Sequence, residues 1–247
     1  MAIQLESSNM LAVANGVKMS IYGRSGMGKT MLSCTAPAPL IISAERGLLS
    51  LKKENIERVW GVNTPGITYE LPVIQIETID DLIEAEAYCR TNPQAQQFQT
   101  IIVDSVSEVA EKVLAHAKKG AKDPRQAYGV MLERMLEVIK SFRDLDGKHV
   151  VLLFKEERNK DEGTGLTLAG PSVPGQKLGP ASPYLTDEVF QLFSGRNPDQ
   201  SSYRALRTQP DFSADAKDRS GALDEIEFPH IGSVINKILG SQAQPQQ

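Results

Sequence analysis

The sequence contains little cysteine, little histidine and no long apolar run. Its 247 residues include two cysteines and three histidines, too few for a disulfide framework and too scattered for a zinc site. No segment approaches the roughly 18 consecutive apolar residues of a membrane span, and residues 1–15 lack the basic start and apolar stretch of a secretory signal. The net charge of −4 argues against a surface coated in positive charge but does not exclude a local basic groove. These absences favour a cytoplasmic globular protein whose thiols, Cys34 and Cys89, are buried and reduced.

Strand and helix patterns alternate along the chain. Apolar segments that predict strands lie at residues 17–22, 39–45, 71–77, 99–104, 148–154, 187–193 and 203–208. Helical periodicity follows several of them, and Thr78 and Ser105 each begin a capping-box pattern. The alternation predicts an α/β fold of three layers with a mostly parallel central sheet.

The chain divides into a short N-terminal segment (1–16), one core (17–240) and a glutamine-rich tail (241–247) that we expect to be disordered. Within the core, residues 155–182 are rich in glycine and proline and show little periodicity. Loops of this length in compact domains are usually functional or disordered. We therefore predict a long mobile excursion containing at most a hairpin.

One short motif carries the strongest chemical signal. It reads Gly23-Arg24-Ser25-Gly26-Met27-Gly28-Lys29-Thr30 and lies between a predicted strand and a predicted helix. In this context the pattern Gly-x-x-x-x-Gly-Lys-Thr forms a loop whose backbone N–H groups surround phosphate oxygens. We expect Lys29 to reach the β- and γ-phosphates and the Thr30 hydroxyl to bind Mg²⁺. The motif therefore predicts ATP and Mg²⁺ as ligands.

Two acidic residues at strand ends complete the predicted site. Asp104 ends the most β-branched strand, where such proteins need a second acid to hold Mg²⁺ through water. Many P-loop ATPases carry a water-activating glutamate directly after this aspartate. Here that position is Ser105, so the general base must come from another part of the sequence. Glu108 suits a capping role, whereas Glu45 ends the strand expected beside the phosphate loop, where ligands of parallel sheets bind. We predict Glu45 as the general base and Lys29 as a catalytic cation.

Three classes of P-loop protein are disfavoured. A GTPase should carry an Asn-Lys-x-Asp motif, and the sequence has none. A small-molecule kinase usually has an arginine-rich lid, but residues 155–182 offer Arg158 alone among arginines. A machine of the AAA type needs a helical lid after its core, and too few helical residues follow Thr208 to build one.

The arrangement resembles the RecA-type ATPase core over about residues 17–239. The phosphate loop, a strand ending in Glu45 and a Val-Asp-Ser strand ending at Asp104 occur in the RecA order. Among such proteins it looks most like the minimal RecA cores of bacteriophages, the Sak-four-type single-strand annealing proteins, and AAA-type phage nucleotide-binding proteins. The shared segments are Ala127-Tyr128-Gly129, Leu185-Thr186-Asp187-Glu188-Val189 and Ala216-Lys217-Asp218-Arg219-Ser220-Gly221.

The resemblance implies residues that act between subunits. The segment around Lys217 and Arg219 is similar to the Lys-x-Arg-x-Gly element of RadA and DnaB proteins, in which the lysine and arginine reach a neighbouring subunit's γ-phosphate. Lys217 and Arg219 are thereby implied to neutralise charge that develops during phosphoryl transfer. Such a site would be complete only in a ring or filament of identical subunits.

The resemblance also implies two DNA-contacting loops, at residues 118–125 and 155–182. Their cations could neutralise phosphates without reading sequence. These candidates are Lys118, Lys119, Lys122, Arg125, Lys155, Arg158, Lys160 and Lys177. Tyr128 and Tyr184 only flank the loops, so a stacking platform for bases is not obvious. The second loop also carries acidic residues, which would repel DNA unless they point away: Glu156, Glu157, Asp161 and Glu162.

The leading hypothesis is a phage recombination protein with a RecA-like core that binds ATP, Mg²⁺ and single-stranded DNA and promotes annealing of complementary strands. We expect a weak or DNA-stimulated ATPase in the host bacterial cytoplasm, with itself and a single-strand-binding protein as partners. One alternative is a P-loop phosphotransferase acting on a small molecule. The other is a nucleotide-dependent regulatory switch with little turnover.

Overall fold

The structure, a computed structural model, describes residues 5, 7, 14–45, 47–121, 123–160, 165–175 and 177–240. The strands are β1 (Lys18–Gly23), β2 (Pro39–Ser43), β3 (Val73–Gln75), β4 (Thr100–Asp104), β5 (His149–Lys160), β6 (Thr167–Ser172), β7 (Glu188–Arg196), β8 (Ser202–Arg207), β9 (Lys217–Asp218) and β10 (Ile226–Glu227). The α-helices are α1 (Lys29–Leu32), α2 (Lys53–Trp60), α3 (Ile79–Thr91), α4 (Val106–Gly120), α5 (Pro124–Arg143), α6 (Leu178–Ala181) and α7 (Ile231–Ile238). None of the helices in the described ranges is long and apolar enough to cross a membrane.

The strands form one mixed sheet in the order β10-β8-β7-β1-β5-β4-β2-β3, with β6 paired to β5 and β9 paired to β7. The six strands from β7 to β3 are mutually parallel, whereas β8, β10, β6 and β9 run antiparallel to their partners. One strand, β5, separates β1 from β4. The predicted α/β fold class with a mostly parallel central sheet is confirmed.

Helices cover both faces of the sheet. Strands β1 and β4 are buried along their whole length, as expected for a parallel sheet enclosed on two sides. Alternate residues of β4 point to opposite layers: Ile101 and Val103 join the core beneath α3, α4 and α5, whereas Ile102 packs with Leu32 and the α7 side chains. The apolar alternation therefore fixes a three-layer arrangement with the phosphate-loop strand in its centre.

The two predicted capping boxes differ in outcome. At α3 the box is complete, because the Thr78 hydroxyl accepts from the Asp81 N–H while the Asp81 carboxylate accepts from the Thr78 N–H. At α4 the Ser105 hydroxyl accepts from the Glu108 N–H at 3.3 Å, but the Glu108 carboxylate binds Lys155 instead of closing the box. The predicted capping role of the Glu108 side chain is therefore wrong.

The segment 155–182 contains regular structure. Strand β5 continues past the predicted strand end at residue 154 to Lys160 and forms an antiparallel hairpin with β6. Ala169, Val173 and Leu178 are buried in the main core, which anchors the returning chain. Asp161 and Glu162 lie outside the described residues, as do the tail 241–247 and most of the N-terminal segment 1–16.

Candidate nucleotide site

The carboxyl ends of three parallel strands meet at one edge of the sheet. β1 leads into the phosphate loop, β4 ends at Asp104, and β2 ends next to it because Ser43 pairs with Asp104. Glu45 follows two residues after Ser43 and so stands beside Ser105. Together these chain ends line a cavity of about 620 Å³. This is the edge at which open parallel sheets bind ligands.

The phosphate loop adopts a conformation that only glycine accommodates without strain. Gly26 and Gly28 have positive φ angles of 78° and 95°, in the left-handed region that other residues avoid. Gly23 is required for a different reason: a Cβ atom there would lie 2.5 Å from the backbone oxygen of Leu192 in the neighbouring strand. The loop glycines thus permit both the turn and the close packing of β7 behind it.

Lys29 is folded into the loop. Its Nζ donates to the backbone oxygens of Gly23 at 2.6 Å and Arg24 at 3.2 Å. Burial lowers the pKa of Lys29, and the nearby carboxylates of Asp104 and Glu45 oppose that shift. An anion in the loop would offer this ammonium a stronger acceptor than two neutral carbonyls.

Thr30 and Asp104 form the oxygen pair predicted for Mg²⁺. The Thr30 hydroxyl donates to Asp104 Oδ2 at 2.6 Å. Asp104 is 3% exposed, and burial raises the pKa of its carboxyl to about 6, against the opposing effect of the Thr30 hydrogen bond. Mg²⁺ prefers oxygen ligands and is commonly held by one or two protein groups together with substrate phosphates. A buried carboxylate beside a hydroxyl, next to the phosphate loop, fits that requirement. No cluster of three or more His, Cys, Asp or Glu side chains in the described chain could hold a metal alone.

Glu45 is positioned by the serine that follows Asp104. The Ser105 hydroxyl donates to Glu45 Oε1 at 2.9 Å, and the Ser43 hydroxyl donates to the Glu45 backbone oxygen at 2.7 Å. Lys112 on α4 donates to the Ala44 backbone oxygen at 2.6 Å. The Glu45 carboxylate is half-buried and lines the same cavity as Lys29 and Thr30. This arrangement aims a fixed carboxylate at the space in front of the phosphate loop.

Three charged residues that line this cavity were not predicted to do so. Arg204 reaches it from β8, and Lys155 and Glu156 reach it from β5. Lys155 was predicted to contact DNA, but its Nζ is paired with Glu108 at 3.0 Å and Glu111 at 2.8 Å. Neither local periodicity nor motif spacing identifies these positions, because their proximity depends on the neighbours that β5 and β8 acquire in the sheet.

Lys217 and Arg219 lie far from the phosphate loop of their own chain. Arg219 pairs with Asp187 at 2.8 Å, level with the start of β1, because the Asp187 N–H donates to the Lys18 backbone oxygen. The phosphate loop begins at the other end of β1, which corresponds to about 16 Å at the rise of a strand. Lys217 Nζ donates to the Pro183 and Thr186 backbone oxygens. The structure therefore does not bring either cation into the cavity of the same chain.

Some of the predicted DNA residues meet in a groove between α5 and the chain that follows β6. Arg125, Tyr128 and Lys177 line this groove, whose volume is about 560 Å³, and Lys118 Nζ lies 5.2 Å from the centre of the Tyr128 ring. Tyr128 is 39% exposed and has apolar neighbours in the groove wall. We refer to this feature as the basic groove. Tyr128, which the sequence placed only beside a loop, is part of its lining.

The remaining DNA candidates do not line the basic groove. Lys119 and Lys160 line separate clefts, Arg158 is exposed on the β5–β6 hairpin, and Lys122 lies outside the described residues. Two acidic residues that were expected to repel DNA point elsewhere. Glu156 faces the nucleotide cavity, and Glu157 accepts from Asn159 and Ser172 within the hairpin.

Comparison with known proteins gives a family match over most of the chain. A family model described as an AAA domain matches residues 15–220. No curated protein matches the chain. One solved structure, titled "Crystal structure of the RadB recombinase", is 14% identical, with a TM-score of 0.47, and the match covers 81% of this chain and 94% of that one.

The family match covers the core, residues 15–220, and does not test the prediction that a helical lid domain is missing. Of the described residues after Thr208, only Ile231–Ile238 form an α-helix. Ile231, Val234 and Ile235 of this helix pack on the core beside Leu32. The helix is thus part of the second layer of the core.

Proposed function

The chain belongs to the AAA-domain family and has a RecA-like P-loop core, and from this premise we propose that it is a Mg²⁺-dependent ATPase that binds single-stranded DNA and promotes annealing of complementary strands. The observation that supports hydrolysis most is the convergence of Lys29, Thr30, Asp104 and Glu45 on one cavity. A structural glycine turn would not need a buried hydroxyl–carboxylate pair and a serine-positioned glutamate around it.

Each of these residues has a distinct role in the proposed reaction. Lys29 binds the β- and γ-phosphates in place of the two backbone carbonyls it now contacts. Thr30 and Asp104 would hold Mg²⁺, Asp104 through water, and the bound ion would neutralise charge on the phosphate oxygens. Glu45 accepts a proton from the water whose oxygen attacks the γ-phosphorus, and the bond from that phosphorus to the leaving ADP oxygen breaks. Ser105 keeps the Glu45 carboxylate oriented towards that water.

Lys217 and Arg219 are proposed to complete the active site of a neighbouring subunit. Their distance from the phosphate loop of their own chain excludes a direct role there, whereas a head-to-tail contact between subunits would bring them to a neighbour's cavity. Arg219 is exposed, and the side chain of its one ion-pair partner among the described residues, Asp187, is 42% exposed. Arg219 could leave Asp187 and bind a neighbour's phosphate at little cost in free energy, because a surface ion pair contributes about 0–1 kcal/mol to stability.

The basic groove is proposed as the binding site for single-stranded DNA. Arg125 and Lys177 supply cations from the two loops that the RecA resemblance implicates, and the exposed ring of Tyr128 lines the same groove. Cations along a groove bind the backbone regardless of sequence, and an aromatic ring stacks on any base. Both properties suit a protein that must hold strands of arbitrary sequence during annealing.

Replacing Tyr128 with alanine should weaken binding of single-stranded DNA by about 5- to 150-fold, since stacking on an aromatic ring contributes about 1–3 kcal/mol per base. Tyr128→Phe keeps the ring and should bind as the wild type does.

Removing both charges in an Arg125→Ala/Lys177→Ala variant should weaken binding at low salt and make it less salt-dependent, because two fewer phosphates are neutralised. Fluorescence anisotropy with a labelled oligonucleotide in MgATP measures all three.

The control is Lys140→Ala, which removes an exposed cation near the opposite end of the same helix, α5. It should leave DNA binding unchanged. A fluorescence-quenching assay with two complementary oligonucleotides tests annealing itself, which MgATP and wild-type protein should accelerate. Wild-type DNA affinity in the Tyr128→Ala and double variants would contradict the proposed groove, and no ATP-dependent annealing would contradict the proposed cellular role.

A further inference from the structure

An arginine from the antiparallel part of the sheet lies over the phosphate loop. Arg204 is on β8, where it pairs with Ser194 of β7, and β7 in turn packs against Gly23 of the loop. Its guanidinium Nη1 lies 3.0 Å from the position that a Cβ atom would occupy at Gly28, and its Cζ lies 3.7 Å from that position. Arg204 also lines the cavity that Lys29, Thr30 and Glu45 enclose.

Arg204 differs from the other arginines of the β7–β8 hairpin in having no partner among the residues that the structure describes. Arg207 is paired with Asp211 at 2.6 Å, and the Arg196 side chain donates to the Gln200 side-chain oxygen at 3.4 Å. Arg204 makes no hydrogen bond or ion pair with any residue in the described ranges. A guanidinium carries five N–H donors in a fixed fork that matches phosphate geometry. Here the guanidinium lies at the rim of the phosphate loop, and none of its donors is bonded to a described residue.

The surroundings of Arg204 favour an anionic ligand. The loop already contains the Lys29 ammonium and is built from glycine-rich backbone of the kind that turns N–H groups towards phosphates. A second cation at this position repels the first unless an anion lies between them, and a polyphosphate carries enough negative charge to contact both. Each of the three carboxylates in the cavity has another partner: Asp104 accepts from Thr30, Glu45 from Ser105 and Glu156 from Gln191.

We infer that Arg204 binds the polyphosphate of the nucleotide from within the same chain, as a second cation beside Lys29. The inference rests on the proposed nucleotide site and adds a division of roles to it. Arg204 and Lys29 would set the affinity of one chain for nucleoside diphosphate and triphosphate. Lys217 and Arg219 would act on hydrolysis once subunits assemble. Arg204 is thus a binding residue whose effect precedes assembly.

The test measures binding of MgADP and MgATP to the full chain by isothermal titration calorimetry. Arg204→Gln should bind both nucleotides roughly 10- to 100-fold more weakly than the wild type, since a charge-assisted hydrogen bond is lost. Arg204→Lys keeps the charge and should retain part of the affinity. Arg196→Gln, a matched change on the neighbouring strand and outside the cavity, should bind as the wild type does. The melting temperature without nucleotide should be the same in all four proteins.

The outcomes separate this inference from the proposed function. If the wild type binds MgADP, Lys29→Ala does not, and Arg204→Gln binds as tightly as the wild type, the inference is wrong and the nucleotide site stands. If Arg204→Lys and Arg204→Gln lose equal affinity and both melt at lower temperature, Arg204 only packs against the loop and the inference is again wrong. If the wild type binds neither nucleotide, the proposed function and the inference fail together.

Discussion

Replacing Glu45 with glutamine should reduce ATP hydrolysis by about 10²- to 10⁴-fold, the contribution typical of a general base, while MgATP binding stays nearly unchanged. Glutamine has the same shape, and its side-chain oxygen can still accept from the Ser105 hydroxyl, which donates to Glu45 Oε1 at 2.9 Å. It cannot accept a proton from the attacking water. Phosphate release and nucleotide binding, measured on the same preparation, report the two effects separately.

A neighbouring carboxylate provides the control for this variant. Glu108 is one helical turn from Ser105, and its side chain is paired with Lys155 at 3.0 Å. Glu108→Gln should therefore change hydrolysis far less than Glu45→Gln does. Equal hydrolysis by Glu45→Gln and the wild type would show that Glu45 is not the base. The regulatory-switch alternative predicts that result, since it requires binding and no turnover.

The second large effect concerns Lys217 and Arg219. The Lys217→Ala/Arg219→Ala variant should lose about 10³- to 10⁵-fold in hydrolysis if these cations act as fingers on a neighbour's phosphates. Lys29→Ala should also be inactive, for a different reason: its own phosphate loop is disabled while its fingers are intact. Mixing the two inactive proteins should restore part of the activity, because some interfaces then join an intact loop with intact fingers.

The mixing experiment has two controls. Each inactive variant alone, at the same total concentration, should remain inactive. Asp187→Asn removes the carboxylate that pairs with Arg219 at 2.8 Å and keeps both cations, so it should hydrolyse ATP at least as fast as the wild type. Absence of any recovery in the mixture, in a sample that sediments as mixed oligomers, would rule out action between subunits.

The nucleotide loop could be predicted from sequence because its chemistry is local. Eight consecutive residues specify the turn, the cation and the hydroxyl that we propose binds Mg²⁺, and a strand pattern precedes them. Asp104 could also be predicted from local sequence, because it is an acidic residue at the end of a strand rich in β-branched residues. Glu45 required one further step, namely that β2 and β4 end at the same edge of a parallel sheet. Ser43 does pair with Asp104 in the structure.

Other features depend on contacts that local pattern does not encode. The hydrogen bond from Ser105 to Glu45 follows from the register of two strands whose sequence positions are 60 apart. Tyr128 becomes part of the basic groove only because residues after β6 pack against α5. The prediction allowed a hairpin within residues 155–182 but ended β5 at residue 154, because residues 155–160 are all polar or charged and show no apolar alternation. Arg204 gave no signal, since only the sheet order brings β8 near the phosphate loop.

The measurement that tests the central claim most directly is phosphate release from MgATP by the wild-type protein, with and without single-stranded DNA at low salt. Lys29→Ala serves as the blank, and samples without Mg²⁺ report the metal requirement. We predict release that depends on Mg²⁺, increases with single-stranded DNA and is absent in Lys29→Ala. Two results would contradict the claim. One is phosphate release that is unaffected by DNA and requires an added small-molecule acceptor; the other is a protein that binds MgATP and releases no phosphate.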